Sequence, residues 1–72
     1  SLAAIGAGLT LLKPGGVMAI ALYYGGANGY EERDAVLAYV ETLDPKRYTV
    51  LSCRWANRQG EPPLPVLIWK EG

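Results

Sequence analysis

Residues 11–26, LLKPGGVMAIALYYGG, constrain the fold more than any other stretch. Proline cannot continue a helical hydrogen-bond ladder, and glycine accepts positive φ, so Pro14-Gly15-Gly16 ends whatever helix precedes it. Residues 17–23 are then continuously apolar, with no alternation. That pattern predicts a strand buried on both faces, as in a parallel sheet sandwiched between helix layers. A helix that feeds a buried parallel strand commits the chain to an α/β layer architecture.

The flanking segments fit this frame. Residues 1–12 predict a helix with Ser1 as N-cap. Leu2, Ile5, Leu9 and Leu12 recur at helical spacing on one face. Gly6 and Gly8 weaken that helix by roughly 1 kcal/mol each relative to alanine, so it needs a surface to lie on. A glycine-rich turn over 25–29 leads to a second helix over 31–43. Its first turn carries Glu31 and Glu32, which complement the macrodipole, and its apolar face is Val36, Tyr39, Val40 and Leu43. Residues 48–56 predict a strand with Leu51, Cys53 and Trp55 on one face and Tyr48, Val50 and Arg54 on the other. A polar, proline-rich connection over 57–65 precedes a last strand over 66–70. The order α-β-α-β-β implies a right-handed crossover between the first two strands.

Composition narrows the chemistry. Seven basic and seven acidic side chains give a net charge of zero. A segment that holds nucleic acid by phosphate neutralisation alone carries a basic excess, so RNA contacts here are local or shared with another segment. The single cysteine, Cys53, excludes a disulfide within the chain, and with no histidine there is no Cys/His zinc set and no Ser-His or Cys-His pair. Cys53 itself reads as a buried, inert thiol. The apolar runs are far shorter than the roughly 20 residues of a membrane span, and no basic n-region precedes residues 2–12, so neither membrane nor signal peptide is expected. A cytoplasmic location suits this composition.

The predicted strands leave a difficulty. A strand buried on both faces needs partners on both edges, and only two other strands are available. The chain reads as the second half of a doubly wound domain, whose usual size is roughly 100–150 residues.

The residues themselves carry a family resemblance. A helix, then Leu12-Lys13-Pro14-Gly15-Gly16, then an apolar strand resembles the run into the fifth strand of class I S-adenosylmethionine-dependent methyltransferases. The whole chain is more closely similar to the C-terminal half of the YtqB-like family, in Tyr23-Tyr24-Gly25, Glu31-Glu32, Leu43-Asp44, and Asn57 through Pro62-Pro63. Members of that family have been labelled "putative rRNA methylase", and the family is associated with tRNA methylation on the aminomethyl nitrogen of a modified wobble uridine. The resemblance implies a Rossmann-like sheet whose last strand is antiparallel and inserts between the fifth and sixth. It implies S-adenosyl-L-methionine as cofactor, held by an N-terminal half that this chain does not contain. On this reading the chain is a fragment, a split product or part of a longer protein, and inactive by itself. One departure stands out: where the family carries a histidine, a proline and two glycines after Tyr-Tyr-Gly, this chain has Gly26, Ala27, Asn28 and Gly29, keeping only the last glycine.

The resemblance places substrate-binding residues at the end of the first strand and in the last connection: Tyr24, Gly25, Gly26, Asn28, Asn57 and Gln59. A tyrosine there can stack on a base, as aromatics do in single-stranded RNA recognition, while amides and Arg58 can reach phosphate or sugar. The competing reading makes Tyr24 a packing residue, the glycines a turn and the connection a solvated hairpin. A phosphate loop over 25–29 is the weaker reading, because the stretch matches neither G-x-G-x-x-G nor the P-loop and two glutamates would repel an anion. Glu31, Glu32, Arg33, Asp34 and Glu41 read as a solvated face. The expected partners are RNA, tRNA in particular, bound through the complete enzyme, and either the missing half or a second copy, as in a homodimer, covering the edge of residues 17–23. The alternative function is a small α/β interaction module without catalysis that pairs through that edge.

Overall fold

The computed structural model describes residues 2–24, 29–58, 60 and 62–72. Ser1, expected as an N-cap, lies outside them. The elements follow in the expected order: α1 (Leu2–Leu11), β1 (Val17–Leu22), α2 (Gly29–Glu41), β2 (Tyr48–Ser52) and β3 (Leu64–Lys70). The strands form one sheet in the order β1-β3-β2. β3 runs antiparallel to both neighbours. β1 and β2 therefore point the same way, joined through α2, and the last strand fills the gap between them.

The junction after α1 is tied to the far end of β3. Gly15 takes φ +84°, which an L side chain rarely adopts. Its amide donates to the Lys70 carbonyl at 2.7 Å, and the Lys70 amide donates to the Gly16 carbonyl at 3.0 Å. α1 has no basic residue in its last turn. Lys70 supplies one from β3, its Nζ donating to the Leu9 carbonyl at 3.2 Å, where a cation complements the helix C-terminus. Lys70→Met is expected to cost about 1 kcal/mol, lowering the thermal midpoint by roughly 4–8 °C. Calorimetry on the two proteins checks this; an unchanged midpoint would remove Lys70 from the account of how α1 ends.

α2 begins two residues earlier than expected and tightens at its end. The amides of Thr42 and Leu43 donate three residues back, to Tyr39 and Val40, satisfying carbonyls a helix end leaves orphaned. Asp44 then turns the chain: its Oδ1 accepts from the Lys46 amide at 2.9 Å, and its carbonyl accepts from the Arg47 and Tyr48 amides, each at 2.9 Å.

Both helices cover the same face of the sheet. The core is Ile5 and Leu9 of α1, Val36 and Val40 of α2, Leu22 of β1, and Val66 and Ile68 of the central β3. This corrects one expectation. β1 is not buried on both faces: Met18, Ile20 and Leu22 turn to the helices, whereas Val17, Ala19 and Ala21 are exposed. The uninterrupted apolar run is real, but nothing among the described residues covers its second face.

β2 is shorter than expected, and its partner explains why. The Cys53 amide still donates to the Pro65 carbonyl at 2.9 Å. Pro65 has no N–H to return, so the ladder closes one bond short and the pairing stops at Ser52. Cys53, Arg54 and Trp55 thus fall outside the strand. Within it, Tyr48 and Val50 face inward, and Leu51 is exposed. β3 starts at Leu64, two residues earlier than expected.

Candidate substrate-binding end of the sheet

The register places two separated segments at one end of the molecule. Leu22, the last residue of β1, pairs with Leu64. Ser52, the last of β2, pairs with Val66. Tyr23 and Tyr24, the N-terminus of α2 and the connection that follows β2 therefore all lie at the carboxyl end of the two parallel strands. With neighbouring strands about 4.8 Å apart, β1 and β2 stand roughly 10 Å apart across β3. In open α/β sheets ligands bind outside the carboxyl ends of the strands.

Among the expected substrate-binding residues, Tyr24 and Asn57 are described, and the fold brings their segments to this same end. Tyr24 is half-buried and Asn57 exposed. Gly25, Gly26, Asn28 and Gln59 lie outside the described residues.

Tyr24 is held in a cluster. Its ring meets that of Tyr30 edge-on, with centroids 5.7 Å apart. The Arg33 guanidinium lies 5.0 Å from the Tyr24 centroid and 4.9 Å from that of Tyr30. Arg33 is anchored in turn by Asp34, whose Oδ1 accepts from Nε at 3.0 Å and lies 2.9 Å from Nη2. Arg33 is thus no member of a merely solvated face, which corrects the sequence expectation. The reason is spatial: Tyr24, which precedes the helix, folds back over its first turns.

Gly29 makes that fold-back possible. A Cβ built on it would land on the Tyr24 carbonyl and within 2.7 Å of the Tyr24 Cα. The one glycine kept from the family pattern is the position where the backbone of Tyr24 passes against the start of α2.

Across the sheet end, Trp55 Nε1 donates to the Pro63 carbonyl at 2.8 Å, fastening the connection onto itself. Tyr23, Tyr30 and Trp55 are exposed. Tyr39, Tyr48 and Trp69 are half-buried elsewhere, Tyr48 and Trp69 at the opposite end of the sheet, where they pair with Lys70 and Val17. Every exposed aromatic of the chain thus sits at the carboxyl end. Sequence reasoning singled out Tyr24 but missed Tyr30 and Arg33. Their i, i+3 spacing on one helix was the available signal; the contact of both with Tyr24 was not visible.

The arrangement presents aromatic surface beside a net negative helix start, since Arg33 is balanced by Asp34 while Glu31 and Glu32 stand in the first turn. It can stack on a planar group. Glu31 and Glu32 stand where the helix dipole favours a negative charge. Among the described residues no group of three or more His, Cys, Asp or Glu is placed to hold a metal ion, and no helix is long and apolar enough to cross a membrane.

A second feature borders this end. A groove of about 710 Å³ runs along the edge of β1 that has no strand beside it among the described residues. Its walls include Leu2 and Ile5 of α1, Met18 and Ile20 of β1, and Arg33 and Val36 of α2.

Comparison with known proteins agrees with this architecture. The family model described as "Putative rRNA methylase" matches residues 1–69, and the chain belongs to that family. The structure of a "putative rRNA-methylase" from Clostridium thermocellum superposes with a TM-score of 0.88 at 34% identity, over 93% of this chain. A "putative methyltransferase" from Streptococcus mutans, solved in complex with SAH, gives a TM-score of 0.87 at 42% identity over 96% of this chain. An rRNA methylase from Streptococcus thermophilus gives 0.82 at 35% over 99%. The chain spans only 36%, 38% and 39% of those three proteins, respectively. Its fold is one part of a methyltransferase α/β sheet.

Proposed function

We propose that the chain is the C-terminal, acceptor-side half of a class I methyltransferase domain that transfers a methyl group from S-adenosyl-L-methionine to RNA. The acceptor is tRNA, at the aminomethyl nitrogen of a modified wobble uridine, in the cytoplasm. The observation that carries this reading is the convergence of the Tyr24–Tyr30–Arg33 cluster and the connection after β2 at the carboxyl end of the sheet, in a chain of this family. The SAH-bound relative supports the choice of cofactor.

On this reading the labour is divided between the two halves. Methyl transfer from a sulfonium to an amine is an in-line displacement, and the enzyme's main task is to hold an unprotonated nitrogen in line with the methyl. The cofactor supplies an activated methyl group, and the residues that hold it lie outside this chain. The residues present here bind and orient the acceptor: Tyr24 walls the pocket, and Asn57 and Arg58 reach sugar or phosphate. The groove and the free edge of β1 accept the next strand of the sheet from the other half. The low coverage of the longer relatives supports that occupant over a second copy.

Methyl transfer by the whole protein tests the reading. We expect incorporation into tRNA carrying an aminomethylated wobble uridine, and none into the same tRNA without that group or into rRNA fragments. Methylation of rRNA alone would move the substrate while keeping the enzyme class. No transfer to any RNA, together with a stable dimer of the 72-residue chain through β1, would favour the non-catalytic interaction module. The 72-residue chain alone is expected to show no binding of S-adenosylhomocysteine by calorimetry, and measurable binding would contradict the division between halves.

A further inference from the structure

We propose that Tyr30 offers the free aromatic surface on which an unpaired RNA base stacks, and that Arg33 is the positioning residue that fixes the Tyr24 and Tyr30 rings for it. The inference rests on the reading that the protein acts on RNA, and adds two residues that the family resemblance did not assign to the acceptor wall.

Arg33 stands in the second turn of α2 with its side chain only 26% exposed. What holds it is local: Asp34 at 2.9 Å and two ring faces at 5.0 and 4.9 Å. Its guanidinium is committed to these neighbours and is poorly placed to neutralise a phosphate. The surface that remains open beside it is aromatic, since Tyr30 is 45% exposed. The other two exposed aromatics, Tyr23 and Trp55, lie at the same end of the sheet. In a chain of zero net charge that gathers its exposed rings at one end, these rings meet bases through their π-faces and add no phosphate contact of their own. Bases unstacked from a loop, as in an anticodon, present such faces.

Steady-state kinetics and RNA binding over a range of salt concentrations test this in the whole protein. Tyr30→Leu is expected to raise KM for the RNA about tenfold, the size of a lost base–aromatic stack. It should leave kcat, S-adenosylhomocysteine affinity and the salt slope of binding unchanged, because no phosphate contact is lost. Tyr30→Phe should behave as the unaltered protein. Arg33→Gln should raise KM, and Arg33→Lys should recover part of the loss, since a lysine restores the cation over the rings but not the planar stack. If Arg33→Gln fails to fold, Tyr30→Leu decides alone. RNA methylation with an unchanged KM in Tyr30→Leu would overturn the inference and leave the proposed function standing, as would a reduced salt slope, which would make the site a phosphate contact. Absence of RNA methylation by the unaltered protein would overturn both.

Discussion

Gly29→Ala should remove most methyl transfer to RNA while leaving the rest of the fold assembled. The added Cβ would fall on the Tyr24 carbonyl and within 2.7 Å of its Cα. Backbone cannot step aside as a flexible side-chain end does. If Tyr24 stayed in place, the overpacking would cost about 1–3 kcal/mol. If it moved, the stack of Tyr24, Tyr30 and Arg33 would come apart, because its ring geometry depends on Tyr24 folding back over the start of α2. The second outcome separates the acceptor wall from the helix that supports it, and is the one expected because the clash is with backbone. Methyl-transfer rate and thermal midpoint, measured on the same protein, distinguish the two. Wild-type values for both would mean that the close approach at Gly29 is not needed.

The second large effect is expected in the central strand. Ile68 is fully buried and pairs with Met18 on one side and Val50 on the other. Ile68→Ala should destabilise the protein by about 2–5 kcal/mol, through lost burial and the cavity left behind. A domain part of this size has roughly 4–11 kcal/mol in total to lose, at the usual stability per residue. Leu11, 83% exposed at the end of α1, serves as control, and Leu11→Ala should change little. Urea unfolding midpoints compare them directly. Equal midpoints for both variants would mean that β3 is not the centre of the core.

Much of this architecture was legible in the sequence because the strongest signals were local. Pro14-Gly15-Gly16 fixed the end of α1, and the apolar spacing of Ile5 and Leu9, and of Val36 and Val40, marked the buried faces of both helices. The resemblance supplied what local pattern cannot, namely that β3 inserts antiparallel between β1 and β2. The early end of β2 was hidden because its cause is the missing N–H of Pro65, a residue on the partner strand. The one-sided burial of β1 was hidden for a related reason: an apolar run records the environment of the whole domain, whereas these residues cover only one face of it.

The site was less legible than the fold. Tyr24 and Asn57 could be singled out by likeness to the family, but Arg33 looked like one charge among five on a solvated helix face. Its role depends on a ring nine residues earlier that returns over it, and no periodicity reports such a contact. Gly29 was visible as the retained glycine, and only the backbone of Tyr24 shows what it is for.

Hydrogen-exchange mass spectrometry of the whole protein, with and without its tRNA, tests most directly the claim that this chain meets RNA at the carboxyl end of its sheet. RNA-dependent protection is expected at residues 22–24, 29–33 and 53–58, and none in the turns at the opposite end, residues 13–16 and 44–47. Protection confined to those opposite turns, or no change anywhere in residues 2–72, would contradict it.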